Sequence, residues 1–363
     1  MNERSRGQLM RSVRLHATEP HLRLERISVP QPASGEVLVR VEGAGVCHSD
    51  LHLIDHVADE ALLRLPVILG HEVAGFVEAM GPGVNDIVQG EPVAVLPVSG
   101  CRACRWCLHG DQELCSDAAI AGATRDGGFA EFILVPARDR LVSLSGLDPA
   151  QAAPLADAAL TPYRALRRVA DSLRHVDATL VVIGIGGLGQ YAVQLARLLY
   201  DARVIAVDGR PERLQRALEL GAAAVIENGD QAVAQVLAAT GGQGAAVVLD
   251  MVGTSETLEL AARTVGTRGT IMLVGIEGGS IPFGFRTLAP EAELTALLSG
   301  GNARFLEDVI EFARNGRLHT DVRLYPLERF AEAFDDLRAG RITGRAVLVP
   351  SARLPTPRTA EAA

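Results

Sequence analysis

The stretch TLVVIGIGGLGQYAVQLARLL, residues 179–199, decides the fold of this chain. It begins with a Val- and Ile-rich run typical of a buried strand and ends with a segment whose apolar residues recur at helical spacing. Gly184, Gly186 and Gly189 lie between them and match the pattern G-x-G-x-x-G. Glycines at such a junction let the backbone approach a pyrophosphate, which accepts hydrogen bonds from the free N–H groups of the helix. The stretch therefore predicts a strand, a turn and a helix that together bind a dinucleotide.

The acid at the end of the next predicted strand indicates which dinucleotide binds. Asp208 closes the run RVIAVD and lies nineteen residues after Gly189, close to the spacing expected of an acid that binds the adenine ribose. A carboxylate accepts hydrogen bonds from ribose hydroxyls and repels a 2′-phosphate, which favours NAD over NADP. Arg210 and Arg213 could partly offset this repulsion, and a solvated acid at a strand end is the alternative interpretation of Asp208. The predicted cofactor contacts in this region are Gly184, Gly186, Gly187, Leu188, Gly189, Asp208 and Arg213.

The remainder of the chain shows two different sequence patterns. Residues 13–142 contain short, often alternating apolar runs bounded by Gly and Pro, which predict an antiparallel β-rich lobe. Residues 179–275 alternate Val- and Ile-rich strands with helical segments, which predicts a doubly wound parallel sheet. The predicted fold class is therefore α/β, and a length of 363 residues suits about two domains.

Composition and charge exclude several classes of protein. A hydrophobic fraction of 48% with 22% charged residues is globular, and the net charge of −9 comes without the basic cluster that binds nucleic acid. The first twelve residues lack the apolar core of a signal peptide, and no apolar run predicts a membrane span. Without an export signal, clustered cysteines are expected to be reduced and bound to metal, which predicts a cytoplasmic protein.

Four of the five cysteines lie within residues 101–115, at the spacing C-x2-C-x2-C-x7-C. Four thiolates complete a tetrahedral shell around one ion and leave no open position, which is typical of a structural zinc site. An iron–sulfur cluster is the alternative interpretation of the same spacing. The predicted structural zinc ligands are Cys101, Cys104, Cys107 and Cys115.

The fifth cysteine lies in GVCHSDLH, residues 45–52, and a histidine followed by a glutamate lies in GHEVAG, residues 70–75. In isolation, Cys47 would be interpreted as a core thiol and His71 as an ordinary histidine. With the cysteine-rich segment and the later glycine-rich loop, in this order, they resemble the zinc-dependent medium-chain alcohol dehydrogenases. The resemblance covers residues 13–350 and implies a GroES-like catalytic domain, a Rossmann domain, NAD, and one catalytic and one structural zinc ion.

In that family a cysteine, a histidine and a third ligand hold the catalytic zinc. The resemblance assigns these positions to Cys47, His71 and Asp157, although the third ligand is commonly a cysteine. Asp157 is similar to the ligand of a bacterial secondary-alcohol dehydrogenase subset. One thiolate and one carboxylate carry the same formal charge as two thiolates, and zinc accepts carboxylate oxygen. The alternative is that Asp157 is a helix-entry acid in a site that has lost its zinc.

The resemblance also implies roles for the neighbours of these ligands. Ser49 is expected to accept the alcohol proton and His52 to deliver it to solvent, a task that suits the pKa of histidine. Asp50 is expected to orient the ligating imidazole, and Glu72 to lie near the zinc. The alternatives are a surface histidine for His52 and an ordinary loop acid for Asp50. Further implied cofactor contacts are Thr161, Val252, Val274, Ile276 and Arg345.

The resemblance implies an enzyme that transfers a hydride reversibly between NAD and a small alcohol or ketone. Secondary alcohols are the expected substrates. The predicted domains are the catalytic domain at residues 1–155, the NAD-binding domain at 156–298, and a return to the catalytic domain with a tail at 299–363. A homodimer or homotetramer is expected, without a nucleic-acid or membrane partner. A polyol or amino-alcohol dehydrogenase and a non-catalytic NAD-binding protein are the alternatives.

Overall fold

The computed structural model describes residues 7–57, 63–175, 177–200 and 202–350. Within these residues the chain divides into two compact units. The first unit extends to Ser99 and also includes Ala119–Ala156 and the residues from Asp321 onward, and the second includes Gly100–Ala118 and Asp157–Thr320. The predicted tail at 351–363 lies outside the described residues. No described helix has both the length and the apolar composition needed to span a bilayer.

The regular elements are numbered here in chain order. The strands of the described residues are β1 (Leu9–Leu15), β2 (Leu22–Ser28), β3 (Val37–Gly45), β4 (Val67–Ile68), β5 (Glu72–Met80), β6 (Pro92–Val95), β7 (Val98–Ser99), β8 (Ala119–Ile120), β9 (Phe132–Val135), β10 (Leu141–Ser143), β11 (Thr179–Ile183), β12 (Arg203–Asp208), β13 (Ala224–Glu227), β14 (Ala245–Asp250), β15 (Val265–Leu273), β16 (Glu293–Ala296), β17 (Val322–Pro326) and β18 (Arg345–Val349). The α-helices are α1 (His48–Asp55), α2 (Arg105–Leu108), α3 (Pro149–Ala152), α4 (Leu160–Arg168), α5 (Ala170–Leu173), α6 (Gly189–Leu199), α7 (Pro211–Glu219), α8 (Ala232–Ala239), α9 (Ser255–Thr264), α10 (Ala303–Arg314) and α11 (Phe330–Arg338). Short 3₁₀ helices cover Gln112–Leu114, Arg138–Arg140, Ala153–Ala156 and Leu327–Arg329.

The first unit is built on a seven-stranded sheet of the described residues, in the order β10-β6-β5-β3-β18-β17, with β9 also paired to β3. β3 lies antiparallel to β5, β9 and β18. Strands β2, β1 and β4 form a separate three-stranded sheet. Alternating valines of β3 and β1, including Val13, Val37 and Val39, are fully buried in the core of this unit. The antiparallel β-rich lobe predicted from the short apolar runs is confirmed.

The second unit is built on a six-stranded sheet in the order β13-β12-β11-β14-β15-β16, whose neighbouring strands are all parallel. Residues of the central strands, such as Val181, Ile205 and Val248, are fully buried because helices cover both faces of a doubly wound sheet. Chain order reverses between β11 and β14, which makes the crevice at their carboxyl ends the place where such sheets bind ligands. The predicted Rossmann architecture is confirmed.

Two element boundaries differ from the sequence prediction. α6 begins at Gly189, whereas the sequence predicts a helix from Gly187, because residues 184–188 form the turn that leaves β11. β15 begins at Val265, five residues before the predicted start at Thr270. Gly266 and Gly269 within this early part obscure its strand character, because glycine has low strand propensity. In the sheet these glycines permit a close approach to the backbone of residues 243–245.

Gly45 ends β3 at a point where the neighbouring strand carries a buried acid. Its cross-strand partner in β5 is Glu72, whose side chain is fully buried. A Cβ on Gly45 would overlap the Oε2 atom of Glu72. The absence of a side chain at position 45 therefore leaves the space in which the Glu72 carboxylate lies against β3.

We expect Gly45→Ala to destabilise the protein and to displace Glu72. Overpacking a buried site costs about 1–3 kcal/mol, which corresponds to a fall of roughly 2–10 °C in the melting temperature of a domain of this size. Differential scanning calorimetry measures the effect. Gly229→Ala is the matched control, because a Cβ there meets no atom within 4 Å. Equal melting temperatures for Gly45→Ala and Gly229→Ala would contradict the steric argument.

Candidate metal and dinucleotide sites

The glycine-rich loop between β11 and α6 has the close contacts that its pattern predicts. Gly184 has a φ of 86°, in the left-handed region that favours glycine. A Cβ on Gly189 would overlap the carbonyl oxygen of Gly184, so the first turn of the helix packs directly against the residue that follows the strand. A Cβ on Gly186 would meet no atom closer than 3.8 Å, where Arg213 Nη1 lies. The loop therefore leaves space beside Gly186 for the backbone to approach a ligand.

Asp208 ends β12 beside this loop. Its Oδ2 atom accepts a hydrogen bond from the backbone N–H of Ile185 at 2.7 Å, and its Oδ1 atom accepts one from Arg210 N at 3.0 Å. Arg213 Nη1 lies 3.6 Å from Oδ2. The structure thus brings the predicted ribose-binding acid, an arginine and the glycine-rich loop together at the carboxyl ends of β11 and β12.

The turns after β14 and β15 lie at the same edge of the sheet. Asp250 Oδ1 accepts hydrogen bonds from the N–H groups of Val252 and Gly253, both at 2.9 Å. A Cβ on Gly275 would overlap the backbone of Val252, so the two turns pack backbone against backbone. Burial raises the pKa of Asp250, although the two backbone donors act in the opposite direction. Our sequence analysis missed Asp250, although an acid at the end of a Val-rich strand was the available signal.

Two further predicted cofactor contacts follow in the turn after β15. Val274 is buried, whereas Ile276 is exposed. Both follow β15 at the ligand-binding edge of the sheet, and their contact with the cofactor remains a prediction.

The four-cysteine loop, residues 101–115, brings its four sulfur atoms within 4.8 Å of one another. Cys107 Sγ lies 4.0 Å from the sulfur of Cys101 and 3.6 Å from that of Cys104. Four sulfur atoms that each lie about 2.3 Å from one zinc ion are about 3.8 Å apart, so the donor set fits a tetrahedral zinc site. Hydrogen bonds from the backbone of Ala103 and Cys104 lower the pKa of Cys101 to about 6, which favours the thiolate that a metal requires.

A second group of donors, here called the mixed cluster, consists of Cys47, His71, Glu72 and Asp157. One donor atom of each lies within 4.8 Å of the others. Cys47 precedes α1, His71 precedes β5, which Glu72 begins, and Asp157 directly follows the 3₁₀ helix Ala153–Ala156. One sulfur, one imidazole nitrogen and a carboxylate oxygen are a donor set that zinc accepts while keeping a fourth position open. The residues present therefore fit the predicted catalytic zinc site.

Asp50 lies close to two members of the mixed cluster, Cys47 and His71. Its fully buried carboxylate accepts a hydrogen bond from Cys47 N at 2.9 Å through Oδ2. Its Oδ1 atom lies 3.5 Å from Nδ1 of His71. Ser49 Oγ lies 3.3 Å from the other ring nitrogen, Nε2 of His71. The His71 ring therefore lies between the Asp50 carboxylate and the Ser49 hydroxyl.

Arg345 forms a two-pronged ion pair with Glu72 in the interior of the first unit. Its Nε atom donates to Glu72 Oε2 at 2.9 Å, and its Nη2 atom donates to Oε1. Both side chains are almost completely buried. Burial raises the pKa of the Cys47 thiol, but the charge of Arg345 and a hydrogen bond with His71 outweigh it and leave that pKa below its usual value. Arg345, predicted to contact the cofactor, thus forms an ion pair with an acid of the mixed cluster.

Two other predicted residues have contacts that the sequence did not reveal. The half-buried His52 lies on α1 with its ring 4.6 Å from that of His56, centroid to centroid. Thr161, predicted to contact the cofactor, donates from Oγ1 to Asp157 Oδ1 at 2.9 Å. No sequence motif links Thr161 to Asp157, although a separation of four residues is the spacing at which helical side chains meet.

Comparison with known proteins agrees with both sites. Residues 33–146 match the family model of the alcohol dehydrogenase GroES-like domain, and residues 187–315 match that of the zinc-binding dehydrogenases. An NAD-dependent alcohol dehydrogenase of Sulfurisphaera tokodaii is 35% identical over 94% of this chain and all of its own. A D-arabinose 1-dehydrogenase (NADP(+)) of Saccharolobus solfataricus is 35% identical over 92% of this chain and 95% of its own.

A solved structure gives the same assignment. The alcohol dehydrogenase of Aeropyrum pernix superposes with a TM-score of 0.87 at 34% identity, covering 94% of this chain and 100% of that one. Sequence similarity along most of the chain, both family models and the order of the motifs agree. The chain belongs to the zinc-dependent medium-chain alcohol dehydrogenase family.

Proposed function

We propose that this protein is an NAD-dependent zinc alcohol dehydrogenase that interconverts a secondary alcohol and its ketone. The observation that carries the proposal is the mixed cluster, in which Cys47, His71 and Asp157 offer sulfur, nitrogen and oxygen donors within 4.8 Å. A structural site would close its shell with four protein ligands, whereas three ligands leave the position that a substrate oxygen needs. The name of the relative from Sulfurisphaera tokodaii supports NAD as the cofactor.

Each group supplies a separate part of the chemistry. Cys47, His71 and Asp157 would hold a zinc ion, and this Lewis acid would stabilise negative charge on the substrate oxygen. NAD supplies the hydride acceptor at its nicotinamide ring. The four thiolates of the four-cysteine loop would complete the shell of a second zinc ion, which would stabilise that loop. The protein itself binds and orients these groups and moves the proton.

We assign the proton path to two residues of α1. The hydroxyl of Ser49, beside the ligating histidine, takes the proton of the alcohol. His52, three residues later and half-buried, releases it to solvent, because the pKa of histidine is near neutral. Asp50 holds the imidazole of His71 through Nδ1, which leaves Nε2 as the metal donor. Glu72 is paired with Arg345, so we do not assign it as a permanent ligand of the zinc ion.

The cofactor is proposed to lie along the carboxyl ends of the parallel strands. The glycine-rich loop binds the pyrophosphate with its N–H groups, and Asp208 accepts hydrogen bonds from the adenine ribose. Space beside Gly186 and the position of Arg213 support this arrangement. Residues proposed to contact the remainder of the cofactor are Thr161, Val252, Val274, Ile276 and Arg345.

We also propose that residues 1–155 and 299–363 form the catalytic domain and 156–298 the NAD-binding domain. The change of compact unit after Ala156 supports the first boundary, whereas Gly100–Ala118 groups with the second unit. A reducing, cytoplasmic compartment is proposed because two metal sites require cysteine thiolates. Cell fractionation would test it, and recovery in an exported fraction would contradict it.

A second candidate substrate class is the polyols and sugars. The relative named D-arabinose 1-dehydrogenase, 35% identical to this chain, favours it. A screen of secondary, primary and polyhydroxy alcohols with NAD separates the two classes by kcat/KM.

We expect the chain to bind about two zinc ions and to reduce NAD in the presence of an alcohol. Asp157→Ala should lower the zinc content to about one and turnover by roughly 10³-fold, because a Lewis acid supplies several kcal/mol and each 1.4 kcal/mol is about tenfold in rate. Elemental analysis and absorbance of NADH measure these effects.

The matched control is Asp171→Ala, which removes an almost fully exposed carboxylate from α5. It should retain two zinc ions and full turnover. Full activity of Asp157→Ala would eliminate Asp157 as a ligand, and one zinc ion in the wild-type protein without alcohol-dependent NADH would refute the enzyme.

Cofactor choice is expected to depend on Asp208. Asp208→Asn removes a charge-assisted hydrogen bond worth about 1.5–3 kcal/mol, so kcat/KM for NAD should fall roughly 10- to 100-fold while that for NADP falls less or rises. Glu227→Gln is the control, because Glu227 is the exposed partner of Asp208 in β13. Comparable turnover of NAD and NADP by the wild-type protein would overturn this assignment.

We propose that the chain assembles as a homodimer or homotetramer. Phe283 and Phe285 are 75% and 103% exposed in the segment between β15 and β16, and exposed aromatic side chains are enriched at protein interfaces. Light scattering should give a mass that is two or four times the 38.4 kDa of the chain. A monomer mass at micromolar concentration would contradict the proposal.

A further inference from the structure

Helix α4 carries two buried polar side chains on one face. Thr161 and Arg164 are three residues apart, which places them next to each other on the helix. Thr161 is fully buried and Arg164 is 6% exposed. Buried polar groups need hydrogen-bond partners, and those of α4 come from other segments of the second unit.

Thr161 connects a metal ligand to the segment that precedes α10. Its Oγ1 atom donates to Asp157 Oδ1 and accepts a hydrogen bond from Gly300 N, both at 2.9 Å. A hydroxyl has a single hydrogen, so the bond from Gly300 directs that hydrogen toward Asp157. Gly300 thereby fixes the orientation of the hydroxyl that holds the carboxylate.

Arg164 connects the same segment to the four-cysteine loop. Its Nη1 atom donates to the carbonyl oxygen of Leu298 at 2.9 Å, and its Nη2 atom lies 2.7 Å from Glu113 Oε1. Glu113 lies in the 3₁₀ helix that directly precedes Cys115. The side chains of this ion pair are only 7% and 4% exposed. A planar guanidinium binds both partners at once, which makes their relative positions interdependent.

Leu298 and Gly300 are therefore attached to α4 at two points, one through Arg164 and one through Thr161. We propose that Arg164 is a positioning residue that couples the four-cysteine loop to the carboxylate of Asp157, through residues 298–300 and the Thr161 hydroxyl. The inference rests on the proposed function, in which Asp157 binds the catalytic zinc.

The coupling has a direct physical basis. A carboxylate that binds zinc is oriented by hydrogen bonds to its other atoms, and loss of such a bond weakens metal binding about 10- to 100-fold. A shift of Glu113 moves the guanidinium that holds Leu298, and with it the N–H that directs the Thr161 hydroxyl. The order of the four-cysteine loop thus sets how firmly Asp157 is held.

The test measures how fast zinc leaves the mixed cluster of the full-length holoprotein. Zinc transfer to an excess of a coloured chelator is followed in time, and the phase of the mixed cluster is the one that Cys47→Ser removes. Thr161→Val should accelerate this phase roughly 10-fold, whereas Thr161→Ser, which keeps the hydroxyl, should stay near the wild-type rate. Glu113→Gln and Arg164→Lys should both accelerate it.

A double variant distinguishes coupling from two separate effects. If Glu113 acts through Thr161, Thr161→Val with Glu113→Gln should release zinc no faster than Thr161→Val alone. Tyr163→Phe is the matched control on the same helix, because Tyr163 donates to Asp308 at 2.6 Å and takes no part in the chain of bonds. It should leave the zinc release rate of the mixed cluster unchanged.

Two outcomes would overturn the coupling. In the first, Glu113→Gln and Arg164→Lys lower the melting temperature as Tyr163→Phe does but leave the rate of zinc release unchanged. Glu113 and Arg164 would then have a structural role only. In the second, the accelerations of zinc release caused by Glu113→Gln and Thr161→Val multiply in the double variant. The two residues would then act independently. A wild-type protein with zinc in the four-cysteine loop alone would overturn the proposed function, and the coupling with it.

Discussion

Negative charge buried around the mixed cluster is the constraint on which the rest of the site depends. Asp50 and Glu72 are fully buried, and an unpaired carboxylate in such a place costs several kcal/mol. Each acid therefore has a specific partner. Glu72 pairs with the guanidinium of Arg345, and Asp50 accepts a hydrogen bond from the backbone N–H of Cys47. Asp157 accepts a hydrogen bond from the hydroxyl of Thr161. A metal ion bound by the cluster would add positive charge to a region already organised to hold anions.

The ion pair of Glu72 explains features of the first unit that look unrelated. Arg345 begins β18, far along the chain, and the sheet brings it to β3, which also pairs with the strand of Glu72. The carboxylate needs room between these strands, and Gly45 provides it. The same arginine lowers the pKa of Cys47, which favours the thiolate that binds zinc. One buried contact thus links sheet register, glycine placement and ligand chemistry.

Helix α4 has a comparable role in the second unit. Its polar side chains bind the four-cysteine loop, residues 298–300 and the carboxylate of Asp157. These segments are far apart in sequence, and α4 contacts each of them through a buried polar side chain. A structural metal site near such a helix can therefore do more than hold its own loop in shape.

The sequence by itself determined the fold class, the glycine-rich loop and the four-cysteine spacing, because these depend on periodicity and on residue types at short spacing. The family resemblance, and not spacing, predicted Cys47, His71 and Asp157 as the second set of donors. Only the tertiary structure decided that Arg345 binds Glu72, that Thr161 holds Asp157 and that Arg164 binds Glu113. These contacts join residues brought together by sheet pairing and helix packing, and a side chain such as Thr161 has several possible partners until folding leaves one within reach. Local spacing encodes the four-cysteine loop, whereas long-range packing brings the donors of the mixed cluster together and selects the groups that contact them.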